Sequence, residues 1–204
     1  MNIRMLVKEY EKNGKINLNN YLKCYKKLGN INDVIVCATL ARLPNGVKHS
    51  HQRRLNNQMM NSVKDKILAR VNEIKLCSNF NEIINIVEES SEKGFGELAV
   101  YDTSLRIGSF FNIYPDEVYL HAGTLKGARA IGIMGKSKTI SINNIPKELF
   151  SLKAYEIEDL LCIYKNKLRN LKDKIVKPNN MRSINKIIRG SNYMDNIFKH
   201  GKKI

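Results

Sequence analysis

Six of the chain's twelve glycines fall between residues 94 and 132, at positions 94, 96, 108, 123, 127 and 132. Glycine inside a helix costs about 1 kcal/mol relative to alanine, so such a concentration marks tight turns or places where backbones approach closely. The residues between the glycines keep helical spacing, with Leu98, Tyr101, Leu105, Gly108 and Phe111 on one stripe. The pattern predicts two helix–turn–helix joints in tandem. Gly94-Phe95-Gly96 turns the chain into a helix from Glu97 to about Asn112. A turn at residues 121–123 then leads into a helix over 124–131, which Thr124 caps.

Helical periodicity extends over the rest of the chain. Residues 2–12 predict a short helix ended by Asn13-Gly14, and Asn17 or Asn19 caps a second through Leu28. Residues 31–43 form a third, closed by the turn Pro44-Asn45-Gly46. Ser50 opens a long helix to about residue 75, and Asn79-x-x-Glu82 reads as a capping box for a helix to about Lys93. Pro115, followed by Asp116 and Glu117, suits a short helix over 115–120. Residues 138–142 alternate and are the strand candidate; Pro146 opens a short helix, and residues 154–173 predict a long one. The expected fold class is all-α, with at most one short strand pair, over a helical domain of residues 1–175.

Composition narrows the function classes. Hydrophobic residues make up 43% of the chain and tryptophan is absent, which predicts an aliphatic core. No run of 18 apolar residues exists, so no membrane helix is expected, and the N-terminal residues lack the apolar run of a signal peptide. Four cysteines are scattered without a CxxC pair, which fits a reduced, cytoplasmic protein; no cofactor and no metal site are expected. The net charge is +16 and is distributed unevenly. Residues 1–30 carry +5, residues 42–75 carry +6 and residues 169–204 carry +8, whereas residues 76–168 carry −2. Residues 176–204 read as a basic tail. Such asymmetry points to an anionic partner, nucleic acid above all.

Several constellations carry chemistry. Gly94-x-Gly96 before a helix leaves backbone N–H groups at a positive helix end, which suits a phosphate, or serves as an ordinary turn. Asp102 and Arg106 lie four apart on one helix and pair, either as an exposed ion pair or with Arg106 on a phosphate and Asp102 as an acid–base group. Small residues around Gly123 and Gly127 let a backbone pass close, whether another helix or a phosphate strand held by Lys126 and Arg129. His121, just before that turn, is a structural hydrogen-bonder or a second catalytic group beside Asp102. His49-x-His51, with Gln52, Arg53 and Arg54, reads as a basic helix start, or as a metal or phosphodiester-cleaving site. Glu156, Glu158 and Asp159 sit where acids favour a helix dipole, with a Mg²⁺ site as the alternative.

The pattern Leu120-x-x-Gly123-x-x-Lys126-Gly127-Ala128-x-x-Ile131 resembles the helix-hairpin-helix module of DNA-binding proteins, including glycosylases of that architecture. Val100-Tyr101-Asp102-Thr103 with Arg106 is similar to the acid-bearing stretch of those glycosylases. The resemblance implies a helix-hairpin-helix-like domain whose turn amides bind a DNA phosphate. The stretch also resembles a block in uncharacterised bacterial proteins, which implies no activity. The expected function is therefore sequence-independent nucleic-acid binding, with DNA ahead of RNA. His51, Arg53, Arg54, Gly94, Gly96, Arg106, Gly123, Thr124, Lys126 and Arg129 are the expected contacts. The rivals are a nucleic-acid-processing enzyme using Asp102 and His121, and an interaction subunit docking a protein partner on small-residue helix faces.

Overall fold

The computed structural model of the protein describes residues 2–43, 45–49, 52–134 and 137–171. Helices α1 (Ile3–Lys12), α2 (Gly14–Lys26) and α3 (Ile31–Thr39) come first, then α4 (Asn57–Ala69), α5 (Val71–Leu76) and α6 (Phe80–Ser90). α7 (Glu97–Phe111) leads to strand β1 (Glu117–Tyr119), α8 (Ala122–Ala130) and strand β2 (Thr139–Ser141). Two short 3-10 turns precede α9 (Ala154–Ile163) and α10 (Lys165–Arg169). The described residues are mostly helical, with one small antiparallel sheet in which Val118 faces Ile140. Among them no helix is long and apolar enough to cross a membrane.

α7 organises the packing. Residues Ala99 to Tyr101 and Thr103 to Ser109 are all buried, so the helix is covered on nearly every side by α2, α3 and α6. Leu98, expected on the inner stripe, is instead 44% exposed, because the buried surface runs around the helix rather than along one edge. One apolar cluster joins α3, α4, α6 and α7 through residues such as Ile35, Ile67, Ile83 and Ile107. A second joins α1, β1, α8, α9 and α10 through Leu6, Val118, Ala128, Leu161 and Leu168. Leu22, Phe80, Tyr101, Leu105 and Tyr155 pack between them, so α2 and α7 tie the halves together.

Local chemistry sets most boundaries. Asn2 caps α1 by accepting from the Met5 amide at 3.0 Å, and Asn79 caps α6 by accepting from Glu82 at 3.0 Å. The capping box is completed one residue early, since Glu82 accepts from the Ser78 amide at 2.6 Å. Several expected elements differ. The long helix starts at Asn57, where Asn56 accepts from the Gln58 and Met59 amides, and it breaks at Arg70; Ser50 lies outside the described residues. α3 stops at Thr39 because Ala41 turns to φ 51°, and Arg42 then pairs with Lys48 in an antiparallel bridge. Residues 117–119 form a strand, not a helix, because alternation buries Val118 and pairs the segment with the predicted strand at 139–141. The helix expected over 154–173 breaks at Tyr164. The basic tail at 176–204 lies outside the described residues.

Candidate nucleic-acid interface

The first glycine joint is open. Gly94 takes φ +103°, a conformation that side chains rarely adopt, and the Phe95 ring between the two glycines is buried in the core. Gly96 is the N-cap of α7, and no side chain among the described residues caps that end. Gly94, Gly96 and Glu97 are exposed at the start of this 15-residue helix, and the Ala99 amide there already donates to the Gly96 carbonyl at 2.8 Å. This end borders a cleft of about 260 Å³ lined by Glu88, Gly96, Glu97, Tyr119, His121 and Lys138, among others. Lys138 pairs with Glu97 at 2.9 Å across it. The His121 ring lies 4.7 Å from that of Tyr101 and 6.3 Å from that of Tyr119. Burial pushes its pKa down to about 4 against an upward pull from Glu97, so the imidazole is neutral at pH 7.

Asp102 and Arg106 form no exposed pair. Arg106 is 3% exposed and donates through Nη1 to the Ala38 carbonyl and to Gln52 Oε1, each at 2.9 Å. Its Nε donates to the Tyr21 hydroxyl, and its Nη2 lies 3.4 Å from Asp102 Oδ2, which also accepts from Gln52 Nε2 at 3.2 Å. Burial by itself lowers the guanidinium pKa, but the Tyr21 oxygen and the Asp102 carboxylate outweigh it and the pKa is raised. The expected phosphate contact at Arg106 is therefore corrected: its donors are spent inside the protein, tying α7 to α2, α3 and the segment before α4. Asp102 does not line the His121 cleft.

The second glycine joint is closed. A Cβ on Gly127 would overlap the Leu161 carbonyl oxygen of α9, and one on Gly123 would lie 2.7 Å from Cys162 Sγ. The small-residue face of α8 therefore docks on α9 and not on an outside strand. α8 begins at Ala122 with His121 at its N-cap, so Thr124 is not the cap; it is fully buried and donates to Glu158 Oε1. Gly123 and Thr124, expected on a phosphate, are thereby reassigned to internal packing. Lys126 and Arg129 point outward and are exposed, as are Arg53 and Arg54; His51 lies outside the described residues.

The acids of α9 divide. Glu156 sits at the helix start and accepts from the Lys153 amide at 2.9 Å, the dipole-stabilising role expected. Glu158 and Asp159 turn inward, where burial pushes their pKa values up to about 8 and about 6. Asp159 accepts from the Tyr10 hydroxyl at 3.0 Å. Glu158 and Asp159 take separate hydrogen-bond partners, though the charge of Asp102 reaches both, and no group of three His, Cys, Asp or Glu among the described residues is placed to hold a metal. His49 packs edge-on against Tyr21 at 4.6 Å.

No protein-family model, curated protein or solved structure matches the chain. Tyr119 and Lys138 were not expected from the sequence, and Gln52, singled out beside His49 and His51, takes a role that was not. Gln52 is 4% exposed and bridges Asp102 to Arg106, although its sequence neighbours read as a basic, solvated helix start. Lys138 and Tyr119 meet the α7 start because β1 and β2 pair. The alternation at 138–142 is the signal for that pairing, but the partner segment carries the marks of a helix start.

Proposed function

We propose that this protein grips the phosphate backbone of nucleic acid without reading sequence. The observation that carries the reading is the net charge of +16, from 35 Lys and Arg against 19 Asp and Glu. The exposed side chains of Arg53, Arg54, Lys126 and Arg129 and the uncapped α7 start at Gly96 supply contacts of the required kind. DNA is the partner that the hairpin resemblance implies. The enzyme alternative needs Asp102 and His121 in one cleft, and binding is preferred because Asp102 is engaged by Gln52 and Arg106 away from the residues that line the His121 cleft. The test is a binding series with short DNA in rising salt. Affinity should fall linearly on a log–log plot, by at least about a hundredfold between about 50 and 200 mM. A flat response, or no binding near 50 mM salt, would overturn the reading.

A further inference from the structure

α2 carries Lys15, Asn19, Lys23 and Lys26 at spacings of three and four residues, which places them on one face. From Lys15 to Lys26 that face runs about 16 Å at the helical rise per residue. It forms one wall of a groove of about 400 Å³, and Lys153 at the start of α9 stands among the other lining residues. Two of the polar groups are committed: Lys15 pairs with the buried Glu156 at 3.1 Å, and Lys26 donates to Asn112 Oδ1 at 2.7 Å. Lys23 and Lys153 are exposed and make no ion pair among the described residues. Four lysines against one glutamate leave the groove strongly positive. Its aromatic elements are Tyr114 and the buried Tyr155, whose rings stack at 4.7 Å, with the Lys153 ammonium 5.7 Å from the Tyr114 ring centre.

We infer that this groove is a binding site for a single strand of nucleic acid. Neither glycine joint contributes to it. A row of cations longer than one phosphate group matches a run of phosphates better than one small anion. A positive groove combined with an aromatic ring suits a strand whose bases are unpaired: Tyr155 stacks on Tyr114 and the Lys153 ammonium stands over its ring, so a base reaches the ring by moving that flexible side chain aside, which a base held in a duplex cannot do. The chemistry of Lys23 and Lys153 is electrostatic, so the strand's sequence matters little. The assignment rests on the nucleic-acid reading above for the class of partner, and adds the surface and the form of the strand.

The experiment compares short single-stranded DNA with the same sequence as a duplex, each in a salt series, on the full chain. Three proteins are used: wild type, Lys23→Ala/Lys153→Ala, and Lys64→Ala/Lys66→Ala, which removes the same charge from α4. Each single-strand phosphate that a lysine no longer neutralises lowers the salt slope by about 0.7, so the groove variant's slope should be shallower by roughly 1.4. Its single-strand affinity should fall at least about tenfold at low salt, while the α4 variant keeps the wild-type slope. Tyr114→Leu should weaken single-strand binding about fivefold with the slope unchanged. If wild type binds but the groove variant keeps its slope, or matches the α4 variant, the groove is not the site and the general reading survives. Tighter binding of duplex than single strand, with the same decrease in slope, overturns the single-strand assignment. Failure of wild type to bind either form removes both readings together.

Discussion

Gly96 stands in open space at the start of α7 and Gly94 is touched only by the end of Met59, whereas Gly123 and Gly127 are pressed against α9. A Cβ on Gly96 would meet nothing within 4 Å, while one on Gly127 would enter the backbone of Leu161. Glycine is used for two unrelated reasons. At Gly94 the reason is conformational, a positive φ that lets the chain leave α6 and enter α7. At Gly127 the reason is distance, because only hydrogen fits between two helices so close. The first use leaves the joint exposed; the second consumes the surface it creates. Small-residue patterns in helices therefore say that something passes close, without saying whether it is the protein's own backbone.

The sharpest way to break this contrast is Gly127→Ala. The added methyl must part α8 from α9, at a cost of about 3 kcal/mol, lowering the melting temperature by roughly 6–12 °C. An unchanged melting temperature would mean that the α8–α9 contact has room to spare and that the two joints do not differ in kind. Next in size is the acid on the closed side. Glu158 has a folded pKa of about 8 against an ordinary 4.5. As pH rises, the unfolded chain gives up this proton first, so the residue withdraws stability between about pH 4.5 and 8 and no more above that. Glu158→Gln keeps an acceptor for Thr124 and removes the effect. The variant should match wild type near pH 4 and gain on the order of 2 kcal/mol at pH 8, read from denaturant unfolding at each pH. A difference that stays constant with pH would show that Glu158 is ionised at little cost. His121, on the open side, works in the other direction: its lowered pKa adds stability as pH rises from about 4 through 6.5.

Smaller effects belong to the open joint. Gly94→Ala should cost about 1 kcal/mol from the positive φ alone, since the nearest atom to its Cβ is the flexible end of Met59 at 3.8 Å. Gly96→Ala should stay below about 0.5 kcal/mol, because φ −71° suits alanine and the space is empty. If Gly96→Ala is as damaging as Gly127→Ala, the open joint is packed after all.

Elements governed by neighbours in sequence were legible before the structure. The Asn79 cap, the α1 limits and the strand at 139–141 depend on residues within a few positions of one another. The strand at 117–119 was not legible, because its pairing partner lies about twenty residues on and Pro115-Asp116-Glu117 imitates a helix start. The candidate site divided in the same way. Gly94, Gly96, Lys126 and Arg129 are exposed, whereas Arg106, which in sequence looked like half of a solvated pair, is buried. What buries it comes from Tyr21, Ala38 and Gln52, which no local pattern connects to it. The α2 lysine row was not read from the sequence, where it counted only toward the +5 of residues 1–30, and its companion Lys153 becomes a neighbour only when α2 packs on α9.

The guanidinium of Arg106 also has a consequence in time. Three of its four acceptors lie 85, 68 and 54 residues away along the chain, and only Asp102 is local. Contacts of that separation require large loops to close before any of them is rewarded. A cation that sheds its water only when all three acceptors have arrived stabilises the end of folding and not its beginning. Such late interactions act on the rate of leaving the native state and little on the rate of reaching it. Arg106→Met is accordingly expected to speed unfolding more than it slows refolding, read from the two arms of a denaturant rate plot.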